Sequence, residues 1–333
     1  MARKALLVGI DEYDKFSNLG GCVADAMAME KRLRRNVDRS SNYGCKLLLY
    51  GPNNKEPRVT RTVLRAALQK LFDFDGEVLL YFSGHGALTA GGGYLATCDA
   101  QPQDWGIPMQ EMIDMANRSH ASDVLILLDC CHAGDAGDPA LLNQPGQRNP
   151  IAALREDMTI IAASRNTQPA MEFDGHGVFT TAVLDALDGG AADHMGWVTA
   201  PAIYSYVERR FDEWSQRPIY KSNATGVNVV RTCAPLIDRL KLEEIIEHFP
   251  TEDHKYLLDP EYEPEDEFGN VHEPVNEEKV RIAKLFKEYR NTGLLKASVP
   301  DEQFYWAARR SHSVELTLRG REYWALVKYD KLR

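Results

Sequence analysis

The sequence predicts an α/β protein: a mostly parallel sheet flanked by helices, with a smaller, mainly helical module at the C-terminal end. Three observations lead there. Short apolar runs at 5–10, 46–50, 78–82, 124–128 and 159–163 show no polar alternation, the pattern of strands covered on both faces. Between and after them, 24–37, 61–72, 179–187 and 200–214 carry apolar residues at helical spacing. Strand and helix alternate in this way through about two-thirds of a 333-residue chain, a length that favours one main domain plus a smaller one.

Taken in order, the first run, Ala5-Leu6-Leu7-Val8-Gly9-Ile10, follows Arg3-Lys4 and runs straight into Asp11-Glu12. It is too short for a signal peptide and reads as the first buried strand. The next four runs complete the parallel core. The segment 135–157 breaks the pattern with Gly137, Pro139, Pro145, Gly146 and Pro150, a composition suited to an exposed loop. A second break, from Glu243 to Glu278, holds fourteen acidic residues against the single Lys255, with four prolines, and reads as a solvated linker. Beyond it, helical patterns at 280–289, 301–310 and 319–328 and a strand pattern at 314–317 suggest a winged-helix-like module. The expected division is a domain at 1–235, an acidic linker at 236–279 and the module at 280–333.

Composition bounds the function. The chain is 44% hydrophobic and 26% charged, with no apolar stretch near the roughly 20 residues that span a bilayer. A net charge of −10 argues against nucleic acid, whose phosphates need a basic surface, and suits basic substrates. The six cysteines include the adjacent pair Cys130-Cys131 and form no disulfide framework, which suggests reduced thiols and a cytoplasmic setting. Gly91-Gly92-Gly93 lacks the following Lys-Ser or Lys-Thr of a phosphate cradle and reads as a hairpin or loop. Cys130, Cys131 and His132 lack zinc-ligand spacing, so no metal site is assigned.

Chemistry in such sheets gathers beyond the carboxyl ends of the strands. The third run ends in Ser83-Gly84-His85-Gly86 and the fourth in Asp129-Cys130-Cys131-His132-Ala133-Gly134. A cysteine nucleophile acts as its thiolate, and a nearby imidazole takes its proton. Glycines beside these residues leave amide N–H groups able to hold an oxyanion, with Gly86 and Cys131 as the candidates. Plainer roles exist for each residue: a buried structural cysteine, a structural histidine, a helix-end acid for Asp25, a strand-end acceptor for Asp129. The pairing of His85 with Cys131 selects the catalytic reading.

Tyr81-Phe82-Ser83-Gly84-His85-Gly86 and Asp129-Cys130-Cys131-His132-Ala133-Gly134 resemble the two active-site motifs of the caspase and metacaspase superfamily. From His85 to Cys131 is 131 − 85 = 46 positions, near the roughly 50 of caspases. The resemblance extends to Leu19-Gly20-Gly21-Cys22-Val23-Ala24-Asp25-Ala26, to Ala162-Ala163-Ser164-Arg165 and to Gly175-His176-Gly177-Val178-Phe179-Thr180, covering about residues 3–233. It implies a caspase-like fold and a cysteine endopeptidase with His85 as base and Cys131 as nucleophile. Cys130 stands where the family commonly has a small polar residue, and Cys131 is the one followed by His-Ala-Gly; Cys130 is expected to pack inward. Matched to metacaspases, Asp25 and Asp129 become the carboxylates of a pocket for arginine or lysine, with Cys22 and Ser83 lining it. Two desolvated carboxylates repel each other until a cation arrives, and a guanidinium suits them. The resemblance also implies limited self-processing in the 135–157 loop, at Arg148 before Arg155, and calcium as an activator, with Asp138 and Asp99 as candidate ligands. The rival expectation is an inactive caspase-like scaffold. The basic residues of the tail, among them Arg309, Arg310, Arg319 and Arg321, are mixed with acids, so the module is expected to bind a regulatory protein, not DNA.

Overall fold

The computed structural model describes residues 2–89, 92–130, 154–163, 172–173, 176–211, 218–265, 270–271 and 274–332. It divides into two compact units, Met1–Ala234 and Pro235–Arg333.

The first unit is built on a six-stranded sheet. Its strands are β1 (Arg3–Ile10), β2 (Gly44–Tyr50), β3 (Glu77–Ser83), β7 (Asp123–Asp129), β8 (Met158–Ala162) and β12 (Ile219–Asn223), in the order β12-β8-β7-β3-β1-β2. All neighbours are parallel except β12, which runs antiparallel to β8 at one edge. The five apolar runs are thus the five parallel strands, and their lack of alternation has a direct cause. Leu6, Val8, Leu80, Phe82, Ile126 and Leu128 point into one core, while Ala5, Leu7, Leu79, Tyr81, Leu125 and Leu127 point into another on the opposite face.

Helix α1 (Cys22–Leu33) covers the second face with Ala26, Met29 and Leu33. Helix α2 (Arg61–Phe72) covers the first. It buries Leu64, Ala67, Leu68, Leu71 and Phe72, one apolar stripe at helical spacing, each large side chain contributing about 1.5–3 kcal/mol on leaving water. Thr60 caps it, its hydroxyl accepting from Val63 N. The chain therefore leaves β1 on one side of the sheet and returns to β3 from the other. Reversal of the winding between β1 and β3 opens a crevice at their carboxyl ends, where ligands gather in open α/β sheets.

Sequence periodicity did not reveal the second layer after β3. Residues Gly86–Thr89 (β4), Gly92–Gln101 (β5) and Asp104–Pro108 (β6) form an antiparallel sheet in that order, followed by helix α3 (Met109–Asn117). Gly92 and Gly93 thus open β5 in its antiparallel pairing with β4, while Gly91 lies outside the described residues. Short pairings join Glu172–Phe173 (β9) to His176–Gly177 (β10), and Trp197–Thr199 (β11) to Val229–Thr232 (β13). Helices Val178–Asp185 and Ala200–Glu208 pack into the second core through Phe179, Val183, Ile203 and Val207.

In the second unit, β14 (Lys255–Leu257), β15 (Leu295–Ala297) and β16 (Ser313–Leu316) make an antiparallel sheet in the order β14-β16-β15. Helices Glu277–Asn291, Phe304–Arg309 and Leu318–Lys328 accompany it. Where composition suggested a bare linker, residues 236–279 contribute buried Leu242, Ile245, Phe249, Leu258 and Tyr262 to this unit. Its acids lie between these anchors, which is why composition alone hides them. Phe249, Tyr256, Phe286 and Tyr289 stack into an aromatic core, and Trp324 Nε1 donates to the Phe249 carbonyl at 2.6 Å.

Candidate functional site

The crevice at the ends of β1 and β3 is organised first by Asp11, which follows β1. Its carboxylate accepts from Cys22 N at 2.8 Å and from Val23 N at 3.4 Å, capping α1 in place of Gly21, which has no side chain to do so. The cap fixes where α1 starts, and so where Cys22 and Asp25 sit.

His85 follows β3. Its backbone N–H donates to the Tyr13 hydroxyl at 2.8 Å, and that hydroxyl donates to the Ile10 carbonyl at 3.2 Å. Burial raises the Tyr13 pKa, with the neighbouring Cys22 adding to it, so the phenol keeps its proton. The His85 and Tyr13 rings lie 4.7 Å apart. Gly84 makes room for Tyr13: a Cβ there would lie 2.7 Å from the hydroxyl. His85 Nε2 lies 2.8 Å from the Ser17 carbonyl. A carbonyl only accepts, so Nε2 carries the proton and Nδ1 is the basic nitrogen of the neutral ring. Ala96 N donates to the His85 carbonyl, making 85/96 the bonded pair of the register. Alternation then turns the Gly86 N–H away from β5, towards the open edge of β4.

Ser83 and Asp129 are register partners on adjacent strands. Cys130, one residue further, is 1% exposed and packs into the first core, the inward packing expected of it. Cys131 lies outside the described residues, as do Arg148 and Asp138.

Asp25, Asp129, Cys22 and Ser83 come together. Asp25 is 1% and Asp129 6% exposed, and Gly177 sits against both. Gly177 N donates to Asp25 Oδ2 at 3.1 Å, and a Cβ on Gly177 would lie 2.4 Å from Asp129 Oδ2 and 3.2 Å from Asp25 Oδ2. Thr180 donates its hydroxyl to Asp129 Oδ2 at 2.5 Å and meets the Tyr81 hydroxyl at 2.6 Å. Burial drives the Cys22 thiol far up; Ser83 hydrogen-bonds it, while Asp11, Asp129 and Asp25 push the same way as burial. The Cys22 thiol is therefore neutral and a poor nucleophile.

Arg155 is fastened: Nη1 to the Ser119 carbonyl at 2.8 Å, Nη2 to the Ala121 carbonyl at 2.5 Å, and its backbone N–H to Asn117 Oδ1 at 3.0 Å. Asp99 accepts from Arg61 N and Thr97 Oγ1 at the start of α2. Among the described residues, no three His, Cys, Asp or Glu side chains gather as a metal site. Nor is any helix of the described residues long and apolar enough to cross a membrane. Sequence reading singled out His85, Gly86, Asp25, Asp129, Cys22 and Ser83, and the last four lie together here. It missed Asp11, Tyr13, the Ser17 carbonyl, Tyr81 and Thr180, although Tyr81 and Thr180 lie inside motifs it singled out.

The sequence profile of the caspase domain matches residues 2–229. The chain belongs to the caspase-domain family of cysteine peptidases. A caspase-like fold accounts for the mostly parallel sheet and its flanking helices. A crystal structure of a Geobacter sulfurreducens protein aligns with a TM-score of 0.52 at 16% identity, over 70% of this chain and 100% of that one, a likeness of fold. The crystal structure of caspase-1 from Spodoptera frugiperda aligns with a TM-score of 0.45 at 14% identity, over 69% of this chain and 90% of that one. No curated protein matches in sequence.

Proposed function

We propose that this caspase-domain protein is an endopeptidase of the metacaspase kind, which cuts after arginine or lysine through Cys131 and His85. The observation that carries the specificity is the pair of buried carboxylates, Asp25 and Asp129, on either side of Gly177 at the strand ends. A lysine or arginine side chain entering there exchanges water for two carboxylates, with Cys22 and Ser83 as neutral walls. Aspartate would meet like charge and be refused.

In the reaction, His85 Nδ1 takes the Cys131 thiol proton, and the Ser17 carbonyl holds the ring in the tautomer this requires. The thiolate attacks the carbonyl carbon of the scissile bond. Gly86 N–H and Cys131 N–H steady the oxyanion. The imidazolium returns its proton to the leaving amine, and water then hydrolyses the thioester. If the chain processes itself in the 135–157 loop, Arg148 is the favoured site, because Arg155 is held by the carbonyls of Ser119 and Ala121 and cannot straighten into a cleft without losing them. The second unit is proposed as a regulatory, partner-binding module.

Profiling with peptides that vary at P1 tests the reading. Cleavage after arginine and lysine, absent in Cys131→Ala and retained in Cys130→Ser, is the expected result. Efficient cleavage after aspartate overturns the pocket assignment, and an active Cys131→Ala overturns the nucleophile.

A further inference from the structure

Asp129 stands at the end of β7, and its carboxylate accepts from a residue far along the chain. Thr180, in the first turn of helix Val178–Asp185, has its hydroxyl 2.5 Å from Asp129 Oδ2. Thr180 is itself fully buried and lies 2.6 Å from the Tyr81 hydroxyl, on β3. A hydroxyl has one proton to give. Since the carboxylate oxygen only accepts, that proton goes to Asp129, and the contact with Tyr81 must run the other way, with the phenol donating. The three groups form a one-directional chain, Tyr81 to Thr180 to Asp129.

We infer that Thr180, backed by Tyr81, is a positioning residue for basic-substrate recognition, fixing the orientation of the Asp129 carboxylate; the inference rests on the proposed arginine or lysine pocket. Three considerations support it. A hydroxyl donor orients a carboxylate without cancelling its charge, so the attraction for an incoming cation is kept, as it would not be with an arginine in the same place. Tyr81 is fully buried, and burial with the nearby Asp129 and Asp25 raises its pKa well above the usual phenol value, so it stays a donor across the working pH range. Thr180 is also tied to the other carboxylate through its own helix: Gly177, which donates to Asp25, is the N-cap of the turn that carries Thr180. One helix start thereby sets the spacing of the two acids.

The test compares kcat and KM of the 333-residue chain with those of Thr180→Val, Thr180→Ser and Tyr81→Phe, on peptides with arginine or lysine at P1. Loss of a hydrogen bond to a charged group predicts that Thr180→Val raises KM by about ten- to a hundredfold with kcat little changed, and that Tyr81→Phe, one step removed, costs about threefold. Thr180→Ser restores near-wild-type kinetics. The acid limb of the kcat/KM profile moves to higher pH in Thr180→Val, because a carboxylate that loses a donor protonates sooner; a packing defect would not move it. Wild-type kinetics in Thr180→Val, or a Thr180→Ser as poor as Thr180→Val, overturns the inference while leaving the pocket intact. A wild type that does not cut after arginine or lysine overturns the pocket reading, and the positioning role with it.

Discussion

Asp129 and Asp188 belong to the same compact unit and are held in opposite ways. Asp188 has 46% of its side chain exposed and lies between two guanidinium groups, Arg32 Nη2 at 2.9 Å and Arg231 Nη1 at 2.9 Å. Asp129 is 6% exposed and accepts a hydroxyl that is backed by a second hydroxyl. The first arrangement supplies a matching charge from the chain itself and joins α1 and β13 to the residues after helix Val178–Asp185. It is a fastening, and surface pairs of that kind are typically worth about 1 kcal/mol or less. The second arrangement orients a buried carboxylate by a donor that leaves its charge in place. If Asp129 serves the proposed pocket, what separates a structural acid from a recognition acid in this fold is the charge of its donors and the depth at which they act.

The largest break in that difference should come from Asp129→Asn, which keeps the shape and removes the charge. Cleavage after arginine is expected to fall about a hundredfold or more in kcat/KM, as when one partner of a buried charge pair is lost. A fall of less than about threefold would remove Asp129 from recognition. Next comes Gly177→Ala. Gly177 has φ −64°, so alanine fits the backbone, and the conflict is its Cβ against Asp129 Oδ2 and, less tightly, Asp25 Oδ2. Crowding there should raise KM by about tenfold and lower Tm by several degrees. Unchanged KM would mean that the carboxylates can move apart freely.

Asp123, at the start of β7, offers a third kind of carboxylate. Burial, with Glu77 and Asp157 nearby and against a hydrogen bond from Asn228, lifts its pKa to about 6. The folded pKa lies above the unfolded one, so the cost of ionising it is absent below about pH 4 and complete above about pH 6. Asp123→Asn should therefore raise Tm by a few degrees at pH 7.5 and leave it nearly unchanged at pH 4, as thermal melts at the two pH values would show. An equal change at both would place its effect in packing. The smallest effect belongs to Asp188→Asn, which should lower Tm by a few degrees at most, less so at high salt, and leave kcat/KM as it was. A large kinetic loss there would erase the distinction drawn above.

The parallel core was legible because its strands are buried on both faces, as in Leu79-Leu80-Tyr81-Phe82 and Leu125-Ile126-Leu127-Leu128, and because α2 gathers Leu64, Leu68, Leu71 and Phe72 on one stripe. The edge strand β12 was not. Ile219-Tyr220-Lys221-Ser222-Asn223 is largely polar because one side of an edge strand meets water. The β4–β6 layer was hidden by Gly92-Gly93 and by bulged pairing that interrupts alternation. At the site, residues adjacent to strand ends could be found from local motifs. Tyr13 could not, since it acts on His85 from 72 positions away, nor could the bond between Tyr81 and Thr180, which spans 99. Hydrogen bonds of that separation leave no local signature.

The stretch from Asp11 to Asp25 serves two masters. Tyr13 and the Ser17 carbonyl hold His85, the proposed base, while Asp11, through its cap on α1, sets Cys22 and Asp25. Its length is consequently a shared ruler. Inserting or deleting even one residue between Asp11 and Cys22 should put the proposed proton transfer and substrate choice out of register together. Drift in this family should thus spare the spacing of that stretch even where its side chains are free to change.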